Sequence, residues 1–196
     1  MKILIATGNE GKKKELLDGF GPLPEIEFLS LKDFSEVEEP EENGKTFEEN
    51  ALIKAKYYAQ KHNCISLGED SGLILEAFPD KFGLKTRREI EARDDIHWLE
   101  QFLLLMEGEE NRQATFYSTI AWYDPETEKS FVVAGQTIGD IAEFPQAPLE
   151  KGIPVSAVFI PEGQDIVYSA MTKNEKNSVS HRGKAVKQMA DFLKNL

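Results

Sequence analysis

The feature that most constrains this chain is its N-terminal stretch. Ile3-Leu4-Ile5-Ala6 is a short unbroken apolar run, and Thr7-Gly8-Asn9-Glu10-Gly11 stops it at once. A continuous apolar strand needs cover on both faces, which an α/β sheet supplies. The lysine-rich segment 12–17 then reads as a helix start. Strand, Gly-containing turn and helix in that order present free backbone N–H groups and the positive end of a helix dipole, which suit phosphate. Lys12, Lys13 and Lys14 sit where that dipole disfavours cations, so they are costly unless an anion lies nearby. A solvated loop with a lysine-rich face accounts for the same residues, and the turn alone does not separate the two readings. The Gly-x-x-x-x-Gly-Lys-Ser/Thr pattern of a P-loop is absent.

The rest of the chain extends the α/β pattern. Residues 25–29 alternate, with Ile26 and Phe28 on one face, and predict a second strand. The acidic segment 36–42, with Pro40, reads as a loop. Thr46-Phe47-Glu48-Glu49 forms a capping box with Thr46 as N-cap and Glu49 at N3. Its helix runs to about His62, with Phe47, Ala51, Ala55 and Tyr58 on one stripe. Strands at 64–67 and 73–75 flank Gly68-Glu69-Asp70-Ser71-Gly72. Segment 95–106 is helical, with Ile96, Leu99, Phe102, Leu103 and Met106 facing inward. Segment 113–123 is a long alternating strand that turns at Asp124-Pro125-Glu126 and pairs with 131–134. Residues 155–160 form a buried strand ended by Pro161. A last helix from about Arg182 buries Val186, Met189, Leu193 and Leu196. Together these elements predict an α/β domain with a mixed sheet flanked by helices.

At 196 residues the chain is one domain, residues 1–196, with or without two lobes. Its formal charge of −12 disfavours a nucleic-acid polymer as partner, while metal and local lysines still permit a small polyanion. The single cysteine, Cys64, excludes an internal disulfide and reads as a small core residue. No signal-like apolar stretch and no run long enough to span a membrane is present, which predicts a cytosolic protein with no membrane partner.

Two further groups carry possible chemistry. Glu69-Asp70-Ser71-Gly72 sits at the end of a buried strand, where α/β sheets place ligands. A hard cation such as magnesium wants a few carboxylate oxygens and retains water. If the strand continues, Glu69 and Asp70 point to opposite sides, and at most one of them is central. A second ligand from Glu38, Glu39, Glu41 or Glu42 competes with the plainer reading of that run as a solvated loop. Lys176, Ser180, His181 and Arg182 precede the last helix and repeat the anion-binding logic of the first turn. Two basic helix starts and one acidic strand end are the parts that phosphoryl chemistry on a nucleotide needs.

Four motifs, taken in order, resemble the inosine/xanthosine triphosphate pyrophosphatase family. They are Thr7-Gly8-Asn9-Glu10-Gly11-Lys12, Thr46-Phe47-Glu48-Glu49-Asn50-Ala51 with Lys54-Ala55, Asp70-Ser71-Gly72-Leu73, and Ser180-His181-Arg182-Gly183. The resemblance spans nearly the whole chain. It implies an elongated α/β fold with a cleft between two lobes, a homodimer, and magnesium-dependent hydrolysis of deaminated purine nucleoside triphosphates to monophosphate and pyrophosphate. By the same resemblance Thr7, Gly8 and Asn9 form the triphosphate loop, with Lys12 acting on the departing pyrophosphate. Glu42 and Asp70 look like the metal ligands, and Asp70 also like the proton acceptor. Lys54, Ser71, Ser156, Lys176, His181 and Arg182 fall at substrate contacts, the last two near the base.

The chain departs from the family on the base side. Where relatives carry Gly-Phe-Gly-Tyr-Asp-Pro, this sequence has Gly152-Ile153-Pro154-Val155-Ser156-Ala157, and Ser-Ala-Arg becomes Thr86-Arg87-Arg88. A stacked base is worth on the order of 1–3 kcal/mol, so purine affinity or selectivity is expected to fall by about tenfold or more. A non-catalytic nucleotide-binding protein is the alternative. A mere binder, however, has no need of a water-activating carboxylate such as Asp70. The related Maf-type pyrophosphatases share the general architecture, but Ser180-His181-Arg182 suits the deaminated-purine family better.

Overall fold

A computed structural model of the chain describes residues 1–34 and 38–196. The start of the expected acidic loop, Glu36 and Val37, therefore lies outside the described residues, while 38–42 form neither helix nor strand.

The apolar run at the N-terminus becomes strand β1 (Lys2–Ala6), with Ile3, Leu4, Ile5 and Ala6 all buried. Helix α1 (Glu10–Phe20) follows, capped by the Asn9 side chain, and leads to β2 (Glu27–Ser30). Helix α2 (Phe47–His62) buries the Ala51, Ala55, Tyr58 stripe and ends at Asn63 in the left-handed conformation. Strand β3 (Ile65–Leu75) comes next, then α3 (Asp95–Leu105), β4 (Gln113–Tyr123), β5 (Ser130–Ile141) and β6 (Phe159–Pro161). The chain closes with α4 (Lys173–Val179) and α5 (His181–Leu193). The six-stranded mixed sheet has the order β2-β1-β3-β4-β5-β6, with β1 parallel to its neighbours and every later pairing antiparallel. Helices α1 and α5 cover one face near β1 with Leu16, Val186 and Met189. Helix α3 packs Trp98 and Phe102 with Leu73 and Phe159 around the far end of the sheet.

The segment expected to break into two strands is one strand. Glu69 and Asp70 lie within β3, and the antiparallel partner β4 runs alongside from Ser66 to Leu75 without interruption. The glycines that read as a loop instead admit close neighbours. A Cβ on Gly68 would stand 2.1 Å from the Ala51 carbonyl oxygen of α2, and one on Gly72 2.1 Å from the Gly83 oxygen. Parallel pairing with β1 stops at Ala6 and Gly68, so Glu69 and Asp70 still emerge just past the carboxyl end of β1. Gly68→Ala must push α2 off the sheet. It is expected to destabilise by about 1–3 kcal/mol or more, read as a lower thermal midpoint.

Other elements also differ from expectation. Residues 155–160 are not one strand: Pro154 opens a 3-10 turn, Pro154–Ala157, because its fixed φ suits a first helical position, and β6 begins only at Phe159. In α3 Trp98 is buried and Ile96 is 61% exposed, since Ile96 sits about 120° around the helix from Phe102. Leu196 lies beyond the end of α5 and is exposed. Thr46 caps α2 as expected, but Glu49 accepts from the Lys45 N–H, so the box is not reciprocal. Strand β5 extends well past Ala134.

Candidate active site

The turn after β1 is held by its own side chains. Asn9 N–H donates to Thr7 Oγ1 at 3.2 Å, and Asn9 Oδ1 accepts the Lys12 N–H at 3.0 Å as the helix cap. The Gly8 N–H makes no hydrogen bond among the described residues, leaving it free for an anion. The lysines that looked costly find carboxylates: Lys12 Nζ lies 3.0 Å from Glu69 Oε2, and Lys13 Nζ lies 2.9 Å from Glu10.

Because β3 is continuous, its side chains alternate between the two faces. Glu69 and Ser71 share one face, where Arg182 meets both: Nε and Nη2 donate to Glu69 Oε1 at 3.2 and 3.1 Å, and Nη2 to Ser71 Oγ at 3.0 Å. Ser118 of β4 also donates to Glu69, at 3.0 Å. Asp70 takes the other face, where Lys54 Nζ donates to Oδ1 at 2.9 Å and Asn50 to Oδ2 at 3.3 Å, both from α2. The two carboxylates thus point to opposite faces, as expected for a strand that continues. Both line a cavity of about 250 Å³ together with Thr7, Gly8, Lys12 and Glu42.

Burial pushes the Glu69 carboxyl up, but Lys12, Arg182 and Lys54 outweigh it and hold the group far below the usual carboxylate range. Asp70 goes the other way. Burial raises it, the nearby Glu69 charge adds to the rise, and Lys54 and Lys12 offset this only in part. Lys54, facing Asp70, Glu69 and Glu42, is held in its charged form despite burial. The result is adjacent carboxylates of opposite character: one locked as an anion, the other with raised proton affinity.

The same lysine tests the metal expectation. Lys54 Nζ is 3.1 Å from Glu42 Oε1 and 2.9 Å from Asp70 Oδ1, so the two expected ligands already converge on one cation. Glu42 also pairs with Arg88 at 2.7 Å. No cluster of three or more His, Cys, Asp or Glu forms a cage among the described residues. Two carboxylate side chains fit a hard divalent cation that completes its shell with water and phosphate oxygens.

A second cavity of about 100 Å³ adjoins the first. It is lined by Phe116, Ile153, Ser156, His181 and Arg182, and shares Asn9, Lys12, Ser71, Thr86 and Arg87 with its neighbour. His181 stacks on Phe116 with centroids 4.6 Å apart, and burial, with Arg182 beside it, lowers its pKa well below the ordinary value. It is therefore neutral at pH 7. The segment 152–157 contributes no aromatic ring, and buried Ser156 is its only side-chain polar group.

Thus Thr7, Gly8, Asn9, Lys12, Glu42, Lys54, Asp70, Ser71, Ser156, His181 and Arg182 meet around two adjoining cavities. Lys176 does not. It is buried behind them, between Glu15 and Glu150. Sequence reasoning missed Glu15, which also pairs with Arg182, and Asn50, which orients Asp70. Glu15's partners, Lys176 and Arg182, lie far along the chain, so no local spacing marked it.

The sequence profile of the Ham1 family matches residues 3–192. The chain is 35% identical to a dITP/XTP pyrophosphatase of Aquifex aeolicus, with 100% of this chain and 98% of that protein aligned. It is 36% identical to a dITP/XTP pyrophosphatase of Thermococcus kodakarensis, covering 99% and 98%. A solved HAM1 protein from Coxiella burnetii superposes with a TM-score of 0.82 at 28% identity, over 100% of both chains.

Proposed function

The chain belongs to the Ham1 family, and from that premise we propose that it is a nucleoside-triphosphate pyrophosphatase acting on deaminated purine nucleotides such as ITP, dITP and XTP. The observation that carries this reading is Asp70, a carboxylate of raised proton affinity in the same cavity as the Thr7-Gly8-Asn9 turn and Lys12. Residues 1–196 act as one unit whose lobes face each other across the cleft.

Asp70 accepts a proton from the attacking water as its oxygen bonds to the α-phosphorus. The bond from the α-phosphorus to the bridging oxygen breaks, and pyrophosphate leaves. Thr7, Gly8 and Asn9 hold the phosphates, and Lys12 compensates charge on the leaving group. Glu42 and Asp70 would hold magnesium, which would supply positive charge against the triphosphate. Lys54 keeps Asp70 and Glu42 convergent, while Ser71, Arg182 and Ser156 define the neighbouring wall.

The base preference is altered or relaxed relative to the family, because segment 152–157 supplies neither a stacking ring nor a carboxylate. Homodimeric assembly follows from the resemblance, and the proposed enzyme acts on free nucleotides in the cytoplasm. The net charge opposes a polymer substrate, and no helix among the described residues is long and apolar enough to cross a membrane.

A panel of nucleoside triphosphates with magnesium, scored by pyrophosphate release, tests the reading. Monophosphate and pyrophosphate in equal amounts from at least one 6-oxopurine triphosphate is the expected result. If no triphosphate is cleaved, the chain is a nucleotide-binding protein instead.

A further inference from the structure

The two cavities share a wall, and on it both Lys12, whose ammonium meets only Glu69 among the described residues, and Arg87 have donors to spare, but only Arg87 presents a planar fork. Arg182 commits Nε and both terminal nitrogens to Glu69, Glu15 and Ser71. The Arg87 guanidinium makes one hydrogen bond among the described residues, from Nη2 to Asp95 Oδ1 at 2.5 Å, and its side chain is 49% exposed. Its Cζ lies 5.5 Å from the centroid of the Trp98 ring, and the Trp98 indole N–H donates to the Arg87 carbonyl at 3.3 Å.

Asp95 does a second thing. It opens α3, where the helix dipole favours a carboxylate, and its Oδ2 accepts the Gly152 N–H at 2.7 Å. Gly152, at φ 82°, is held from the other side by Asn9 Nδ2, which donates to its carbonyl at 2.9 Å. A Cβ at Gly152 would fall 2.5 Å from Asn9 Oδ1, so the contact admits only glycine. One carboxylate therefore fixes both Arg87 and the start of the segment that borders the smaller cavity.

We propose that Arg87 reads the nucleobase, and that Asp95 is the positioning residue that aims it. The proposal rests on the nucleotide reading of the site and names the contact that replaces what segment 152–157 lacks. A guanidinium only donates. The O6 and N7 edge of a 6-oxopurine offers two acceptors that its fork can meet together, whereas adenine presents a donor at the first of them. Hypoxanthine, xanthine and guanine share that edge, so the contact favours all three over adenine and does not itself reject guanine. An Arg87 that clamped phosphate would weaken all nucleotides alike.

The test is calorimetric binding of IMP and AMP to the full-length wild type and to Arg87→Ala, Arg87→Lys and Asp95→Asn. Monophosphates need no turnover, so a protein that cleaved no triphosphate would defeat the proposed function and leave this comparison readable. The wild type is expected to prefer IMP by about tenfold or more. Arg87→Ala should bring the ratio near one, chiefly by weakening IMP. Arg87→Lys, which keeps the charge but loses the fork, should restore little of it. Asp95→Asn should lower the ratio part of the way. A wild type without preference, or an unchanged ratio in Arg87→Ala, overturns the proposal; so does an equal loss for both nucleotides. An unchanged ratio in Asp95→Asn removes Asp95 from it.

Discussion

Asp70→Asn is expected to lower kcat by about a thousandfold while the protein stays folded. General-base catalysis contributes about 10²–10⁴ in rate, and an amide cannot accept the proton. The substitution also removes one of the two carboxylates that would hold the metal. Stability should not follow activity down. Burial already disfavours the ionised Asp70, so a neutral side chain of the same shape removes a cost, and Lys54 keeps Glu42 as its partner. The sign with pH follows from the raised pKa. Asp70's contribution to stability is fully present below its unfolded value of 3.8 and is lost as pH rises through the higher folded value. The variant lacks that loss. Steady-state pyrophosphate release and thermal unfolding, measured side by side, check both halves. Wild-type kcat in Asp70→Asn would remove the residue from the mechanism.

The reasons this residue was legible in the sequence, and others were not, are physical. Local signals act over one turn or one strand, and they located β1, α1, α2 and β4 well. The Thr7-Gly8-Asn9 turn was visible because a buried strand was broken by glycine beside lysines. Gly68 and Gly72 misled, because a glycine that ends a strand and one that admits a helix backbone look alike until α2 and the Gly83 segment are placed. The run 155–160 misled in the opposite way: it is apolar at every position except Ser156, so periodicity could not distinguish a strand from a 3-10 turn. Trp98 shares a face with Phe102 four residues on and stacks on its ring, whereas Ile96 lies about 120° away, so the buried face of α3 includes Trp98 and not Ile96. Glu15 and Asp95 were invisible for a different reason. Their partners are Arg182 and Gly152, far along the chain, and nothing in a short window marks such a pairing.

Those distant pairings make Glu69 the residue on which the fold of the site most depends. Glu69→Gln is expected to destabilise the protein by about 3–5 kcal/mol, because it leaves buried cations without their counter-charge. Glu69 is 2% exposed and faces Lys12 and Arg182 at once; Arg182, itself 4% exposed, would retain only Glu15. A loss of that size corresponds to a thermal midpoint lower by about 6–20 °C in a chain of this length. The effect also has a direction in pH. Glu15, Glu42 and Glu69 all have folded pKa values lowered from 4.5, burial in each case being outweighed by neighbouring cations. Their stabilisation is present above pH 4.5 and is lost as pH falls toward the lowered values, so the wild type should weaken steeply in acid. Glu69→Gln removes one proton-binding group from that balance, so its stability should fall less steeply over the same range. Pairing it with Arg182→Met tests the origin of the loss. With the buried cation gone too, the double variant should be less destabilised than the sum of the single ones. Strict additivity would mean that the two side chains stabilise the fold independently, and that the charge pair does not hold β3 to α5.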